Sequence, residues 1–185
     1  LAGFFKPLFL GELPDSEETH LALFGYDPRN NFPGRGVFEV LGIGEKLSPK
    51  DICLRANLAT VNERGEVLDR RAGRIPNEKA QIVVKKLNGL VINKIRFAVR
   101  NVYQHRLGII LKGTDLSDKI SDTDNKHIQR IKECRPLDKS LKAKRTAEAL
   151  NLFLAKARIL LAGQKPANFV LPRGALRYPA RTSLD

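Results

Sequence analysis

An α+β domain, an antiparallel sheet with its helices packed on one face, is the fold class this sequence predicts. Three observations carry that expectation. Apolar residues alternate through residues 48–62 and again in two later runs, as in half-buried strands. Elsewhere they recur at spacings of three and four, as on the buried face of a helix. The resulting order along residues 48–171 is strand, helix, strand, strand, helix, strand, the split βαββαβ arrangement called ferredoxin-like.

Residues 1–44 stand apart, rich in Gly, Pro and aromatic residues. Turn residues flank a short apolar run there, which predicts a loop opening a short helix near residues 16–24. In the first strand, Ile52, Leu54, Ala56 and Leu58 alternate with Cys53, Arg55, Asn57 and Ala59, so Arg55 and Asn57 fall on its second face. A turn at Arg64-Gly65 precedes the basic stretch Asp69-Arg70-Arg71-Ala72-Gly73-Arg74. Pro76 suits the first turn of a helix running through Ala80, Val83, Val84 and Leu87, closed by Asn88-Gly89.

Two alternating runs, 95–103 and 107–111, are separated by Gln104-His105-Arg106 and read as a hairpin. Residues 113–136 are polar and read as a long loop. The second helix covers about 140–161, with Leu150, Phe153, Leu154, Ala157, Leu160 and Leu161 as its apolar stripe and Gly163 as its stop. A short strand at 168–171 leads into Arg173-Gly174.

Length and composition agree with such a fold. The chain has 185 residues, 42% of them hydrophobic, enough to bury a core. Lys6, Pro7, Glu12 and Pro14 interrupt the apolar N-terminal stretch, and no run reaches the roughly 18 uncharged apolar residues of a membrane span. Cys53 and Cys134 lie far apart without metal-like spacing and read as reduced thiols of a cytoplasmic protein. The sequence starts Leu-Ala-Gly and contains no Met, which suggests a processed product, a fragment or an incompletely read chain.

The net charge is +13, and residues 79–114 contain no acid at all. Such an excess suits an anionic partner: nucleic acid, a membrane surface or a small anion. Nucleic acid is disfavoured, because only 6% of residues are aromatic and no stacking motif accompanies the basic runs.

The candidate chemistry starts with Ser16, in Ser16-Glu17-Glu18-Thr19-His20. A Ser at a turn before a helix serves as an N-cap. The same helix end suits a Ser that attacks phosphorus, provided a base or metal activates it. Arg70, Arg71 and Arg74 offer forked donors that match phosphate and carboxylate oxygens, with Asp69 able to orient one of them. Arg55, Asn57, Arg106 and Arg173 fall at the ends or faces of predicted strands and could converge on one anion. His20, His105 and His127 do not assemble a metal site, and Asp122 and Asp124 read as turn-makers rather than cation ligands.

These segments, in order, carry a resemblance. They are the run 16–28, Gly34-Arg35-Gly36-Val37-Phe38-Glu39-Val40-Leu41-Gly42, Arg55-Ala56-Asn57-Leu58-Ala59-Thr60-Val61, Asp69-Arg70-Arg71-Ala72-Gly73-Arg74, His105-Arg106, Leu116-Ser117-Asp118, Ser121-Asp122-Thr123-Asp124 and Arg173-Gly174-Ala175. Together they resemble the archaeal-type cofactor-independent phosphoglycerate mutases of the alkaline phosphatase superfamily. The resemblance implies a cytoplasmic isomerase of glycolysis and gluconeogenesis that interconverts 3-phosphoglycerate and 2-phosphoglycerate through a phosphoserine. Ser16 would be both the nucleophile and a metal ligand. Arg55, Asn57, Arg70, Arg71, Arg74, His105, Arg106 and Arg173 would bind the substrate.

The resemblance also implies domains. Residues 1–44 would be the nucleophile-loop part of an alkaline-phosphatase-like α/β domain, 45–172 an inserted substrate-binding domain, and 173–185 the return linker. Two divalent metals, manganese or magnesium, are expected in the intact enzyme. The family's metal-ligand segments before and after this region are absent from the 185 residues, which are therefore not expected to bind the metals or to turn over alone. Asp15 and Glu17-Glu18 also depart from the family's pattern beside the nucleophile. A homo-oligomer and no membrane partner are the remaining expectations. The rival readings are a basic module binding RNA or another anion, and a related metal-dependent phosphatase.

Overall fold

The structure, a computed structural model, describes residues 35–124 and 130–178. Strand β1 (Ile52–Val61) is its centre. After β1 come β2 (Val67–Asp69), a 3-10 turn at Ala72–Arg74, helix α2 (Asn77–Leu87) and β3 (Leu90–Ile92). Then follow β4 (Ile95–Tyr103), β5 (Arg106–Lys112), helix α3 (Leu141–Leu160) and β6 (Phe169–Arg177). Helix α1 (Arg35–Gly42) precedes them all. The lateral order is β6-β1-β5-β4-β3, every pair antiparallel, with β2 joined to the end of β1.

Alternation along β1 determines what each face carries. Ile52, Leu54, Ala56 and Leu58 join Phe97, Val99, Leu107, Ile109 and Leu111 in the main core, covered by Ala80, Val83 and Leu87 of α2 and by Leu150, Phe153, Leu154 and Ala157 of α3. Phe97 and Phe153 stack across this interface, ring centroids 4.4 Å apart and 4° from parallel. Each such fully buried side chain contributes roughly 1.5–3 kcal/mol by leaving water. Ser140 caps α3, its Oγ accepting from the Ala143 amide at 3.1 Å.

The other face is covered by a helix that precedes the strand and helix pattern of residues 48–171. Helix α1 lies across it, packing Val37 and Val40 against Cys53, Ala98 and Ile110. This cover buries both faces of β1, so the strand is not half-buried as its alternation predicts. Two glycines permit the approach. A Cβ on Gly108 would lie 2.5 Å from Val40 Cγ2, and one on Gly36 would lie 2.9 Å from the Arg55 backbone nitrogen. With only eight residues, α1 is too short for its periodicity to stand out in the sequence.

Other differences have local causes. Leu160 ends α3 at 36% exposure, outside the buried stripe, whereas Leu161 in the cap is buried. Strand β6 runs six residues past the apolar segment that predicts it, to Arg177, because backbone pairing with β1 continues past the end of the continuous apolar run. Residues 113–136 carry no helix or named strand among the described ones, yet several of those described are buried or hydrogen-bonded to the rest of the fold. Leu116, Ile120, Thr123 and Cys134 are buried. Asn151 of α3 accepts from the Cys134 amide and donates to its carbonyl, both at 2.9 Å. The helix expected near residues 16–24 lies outside the described residues. No described helix is long and apolar enough to cross a membrane.

Candidate functional site

The second face of β1 also carries the strand's buried polar residues. Arg55 and Asn57 follow Cys53 on that face. Register brings their neighbours alongside. Arg55 pairs with Gly108 on β5 and Arg173 on β6, and Asn57 pairs with Arg106 on β5. Arg55 Nε also meets Glu39 Oε1 of α1 at 3.3 Å, so the helix covering the apolar half of the face supplies a counter-charge to the basic half.

The loop after β2 brings three more arginines. Asp69 folds it: Oδ1 accepts from the Arg71 amide at 2.8 Å and Oδ2 from the Gly73 amide at 2.6 Å. Ala72, Gly73 and Arg74 then take φ of 45°, 61° and 53° in succession. Left-handed backbone at a non-glycine residue costs on the order of 1–3 kcal/mol, and it persists where the surroundings impose it, typically at ligand sites. Burial pushes the Asp69 carboxyl up, but the Gly73 and Arg71 amides and the charges of His105 and Arg71 outweigh it and hold the group below its ordinary value.

Asp124 joins this loop to β6. Its Oδ1 accepts from Arg70 Nε at 2.9 Å, its Oδ2 lies 3.6 Å from Arg173 Nη1, and its side chain is 2% exposed. Asn57 Nδ2 donates to the Arg70 carbonyl at 3.2 Å, anchoring the same arginine from β1.

His105 precedes β5 and its carbonyl accepts from the Leu58 amide at 2.7 Å. Burial lowers its pKa, as do Arg106, Arg71 and Arg74, while Asp69 opposes them. The ring is therefore uncharged at neutral pH, and these neighbours fix its place beside the arginine loop. Among the described residues, Asn57 Oδ1 and His105 Nδ1 are buried polar atoms without a hydrogen-bond partner. A buried polar atom left unpaired costs roughly 1–3 kcal/mol, which a hydrogen-bond partner for either atom would recover.

Six arginines thus share the site with three carboxylates, Glu39, Asp69 and Asp124. Arg71, Arg74 and Arg106 make no ion pair among the described residues. The arrangement can hold a small anion with several oxygens, guanidiniums forking onto them, and Asn57 Oδ1 is a further hydrogen-bond acceptor beside them. An open cleft of about 850 Å³, walled partly by Arg64, Arg158 and Lys165, includes none of these residues.

The eight residues singled out on β1, the 69–74 loop, the β4–β5 turn and β6 are linked into this one region by register, hydrogen bonds and charge coupling. Ser16 lies outside the described residues. Sequence reasoning missed the roles of Glu39 and Asp124. Asp124 was visible within Ser121-Asp122-Thr123-Asp124, but an Asp there is equally a turn-maker, and only the fold brings it under Arg70 and Arg173. Among the described residues no group of three or more His, Cys, Asp or Glu could hold a metal ion, so they do not fit the two divalent metals that the family resemblance implies.

Comparison with known proteins gives one consistent picture. Residues 1–168 match the family model described as 2,3-bisphosphoglycerate-independent phosphoglycerate mutase. The mutase of that name from Saccharolobus solfataricus is 41% identical over 192 residues, covering 96% of this chain and 46% of the relative. That from Methanococcus maripaludis is 40% identical, covering 97% and 47%. The solved structure of a cofactor-independent phosphoglycerate mutase from Thermoplasma acidophilum superimposes with a TM-score of 0.74 at 36% identity, over 91% of this chain and 48% of that one. The chain spans about half the length of the curated relatives it matches.

Proposed function

The chain belongs to the 2,3-bisphosphoglycerate-independent phosphoglycerate mutase family, and from that premise we propose that it is the substrate-holding part of an enzyme interconverting 3-phosphoglycerate and 2-phosphoglycerate. The observation that carries the reading is the arginine cluster with its two unpartnered buried atoms, Asn57 Oδ1 and His105 Nδ1. Phosphoglycerate combines a phosphate, a carboxylate and a hydroxyl on three carbons. The cluster answers each: guanidiniums for the anionic groups, and an amide oxygen for the hydroxyl.

In the proposed reaction the Ser16 oxygen bonds to phosphorus as the bond from phosphorus to the first glycerate oxygen breaks, and the serine hydroxyl proton passes, net, to that oxygen. Arg55, Arg70, Arg71, Arg74, Arg106 and Arg173 keep the glycerate bound while its other hydroxyl turns toward the phosphoserine and receives the group back. Holding the intermediate matters because its escape would convert a mutase into a phosphatase. His105, uncharged at neutral pH, contributes a hydrogen bond rather than a charge. The two divalent metals, manganese or magnesium, would be bound outside the described residues, and the arginines' hold on the glycerate does not depend on them.

The same reading divides the chain into a phosphatase-like portion at 1–44, an inserted substrate-binding domain at 45–172 and a return segment at 173–185. The strand order β6-β1-β5-β4 supports a ferredoxin-like insert. Glycolytic and gluconeogenic use, a cytoplasmic location and self-association accompany the proposal. The test supplies 3-phosphoglycerate and manganese to the complete protein containing this sequence and measures formation of 2-phosphoglycerate. Ser16→Ala should abolish it and Arg71→Ala should raise KM. Full activity in Ser16→Ala rejects the nucleophile, and release of inorganic phosphate without isomerisation favours the phosphatase alternative.

A further inference from the structure

We propose that Asp124 is a positioning residue of this site: its buried carboxylate holds Arg70 and Arg173 in the orientation that receives an anion, without itself touching that anion. For the identity of the substrate, the inference rests on the mutase reading above.

The order of burial is the first argument. The Asp124 side chain is 2% exposed, whereas those of Arg70 and Arg173 are 26% and 23% exposed. An anion arriving from solvent therefore reaches the part-exposed guanidiniums more readily than the buried carboxylate. The two carboxylate oxygens are also divided between the two arginines, Oδ1 to Arg70 Nε and Oδ2 toward Arg173 Nη1.

The backbone around Asp124 is fixed independently of these ion pairs. The Thr123 amide and hydroxyl both donate to the Pro172 carbonyl, at 3.4 and 2.8 Å, and the Gly174 amide donates to Asp122 Oδ1 at 2.7 Å. Residues on both sides of Arg173 are thus bonded to the two residues preceding Asp124. The carboxylate is set in place by this stitching, so it can impose a position on the arginines rather than follow them.

The energetics favour such a device. A free arginine side chain loses rotamer entropy when it is fixed on a ligand, and a guanidinium ordered in advance loses less on binding. A buried negative charge between two cations also offsets their mutual repulsion in a region of low dielectric.

Two other roles would give different results. A carboxylate that competed with the ligand for the arginines would weaken binding, so removing its charge would tighten it. A carboxylate needed only for folding would change stability and leave the affinity of the folded protein unchanged. The experiment compares the complete protein with its Asp124→Asn and Asp124→Ala variants by calorimetric titration with inorganic phosphate and with 3-phosphoglycerate, alongside thermal unfolding and steady-state kinetics.

Asp124→Ala should weaken both anions by about tenfold or more, the scale of a lost charged hydrogen bond. Asp124→Asn keeps an oxygen acceptor for Arg70 Nε and should recover part of the loss, with KM changing more than kcat. If Asp124→Ala does not fold, the loss of affinity in Asp124→Asn decides. Unchanged or tighter anion binding in the folded variants overturns the proposal. Wild-type binding of phosphate but not 3-phosphoglycerate would defeat the mutase reading, while the phosphate series would still decide the role of Asp124.

Discussion

The two faces of one sheet divide the work of this molecule. Under α2 and α3, β1 presents Ile52, Leu54, Ala56 and Leu58, and the interface is closed by side chains such as Phe97 and Phe153. On the opposite face the same strand offers Cys53 to α1 and then Arg55 and Asn57 to the arginine cluster. Adjacent residues therefore answer to different demands, and stability and binding can be altered separately at positions one residue apart.

Damage to the helix-covered face should have the largest effect. Phe153→Ala removes one half of the stacked pair and leaves a cavity beside Phe97, at an expected cost of about 3–5 kcal/mol in denaturant unfolding. Whatever protein stays folded should bind anions as before. Loss of binding without loss of stability would contradict the division of faces.

The junction between the two functions lies under α1. Gly108→Ala would push a methyl group into Val40 Cγ2, so we expect about 1–3 kcal/mol of destabilisation. Lifting α1 would also move Glu39 away from Arg55, and phosphate affinity should fall along with stability. A change in stability alone would show that α1 does not organise the basic end.

On the arginine face the pattern should reverse. Arg71 is exposed and makes no ion pair among the described residues, so Arg71→Ala should change stability by no more than about 0.5 kcal/mol. The same variant should weaken phosphate binding by about tenfold in calorimetry.

The smallest effect concerns pH. The native His105 pKa is below its unfolded value, so the unfolded chain binds the proton more readily. Stability should therefore be fully present above about pH 6.5 and decline as pH falls toward the lower native value. His105→Gln should flatten that part of the stability profile, and saturating phosphate should reduce in the unmodified protein only the smaller share that comes from the arginine charges, burial being the larger cause.

Much of this comparison was legible in the sequence. The alternation in β1 separated Leu54 and Leu58 from Arg55 and Asn57, and spacings of three and four marked Leu150, Phe153 and Leu154. Arg70, Arg71 and Arg74 drew attention by density alone. Pairs that depend on tertiary approach were not legible: Gly108 under Val40, Glu39 against Arg55, and Asp124 beneath Arg70 and Arg173 each join segments distant in the chain. The short strands β2 and β3 were missed because three residues are too few to display a period.

The most direct measurement is a crystal structure of the complete protein with 3-phosphoglycerate bound. The account predicts the ligand's anionic groups within hydrogen-bond distance of several guanidiniums among Arg55, Arg70, Arg71, Arg74, Arg106 and Arg173, with Asp124 still buried beneath Arg70 and Arg173. Ligand seated instead in the cleft walled by Arg64, Arg158 and Lys165, with the arginine cluster empty, would contradict it.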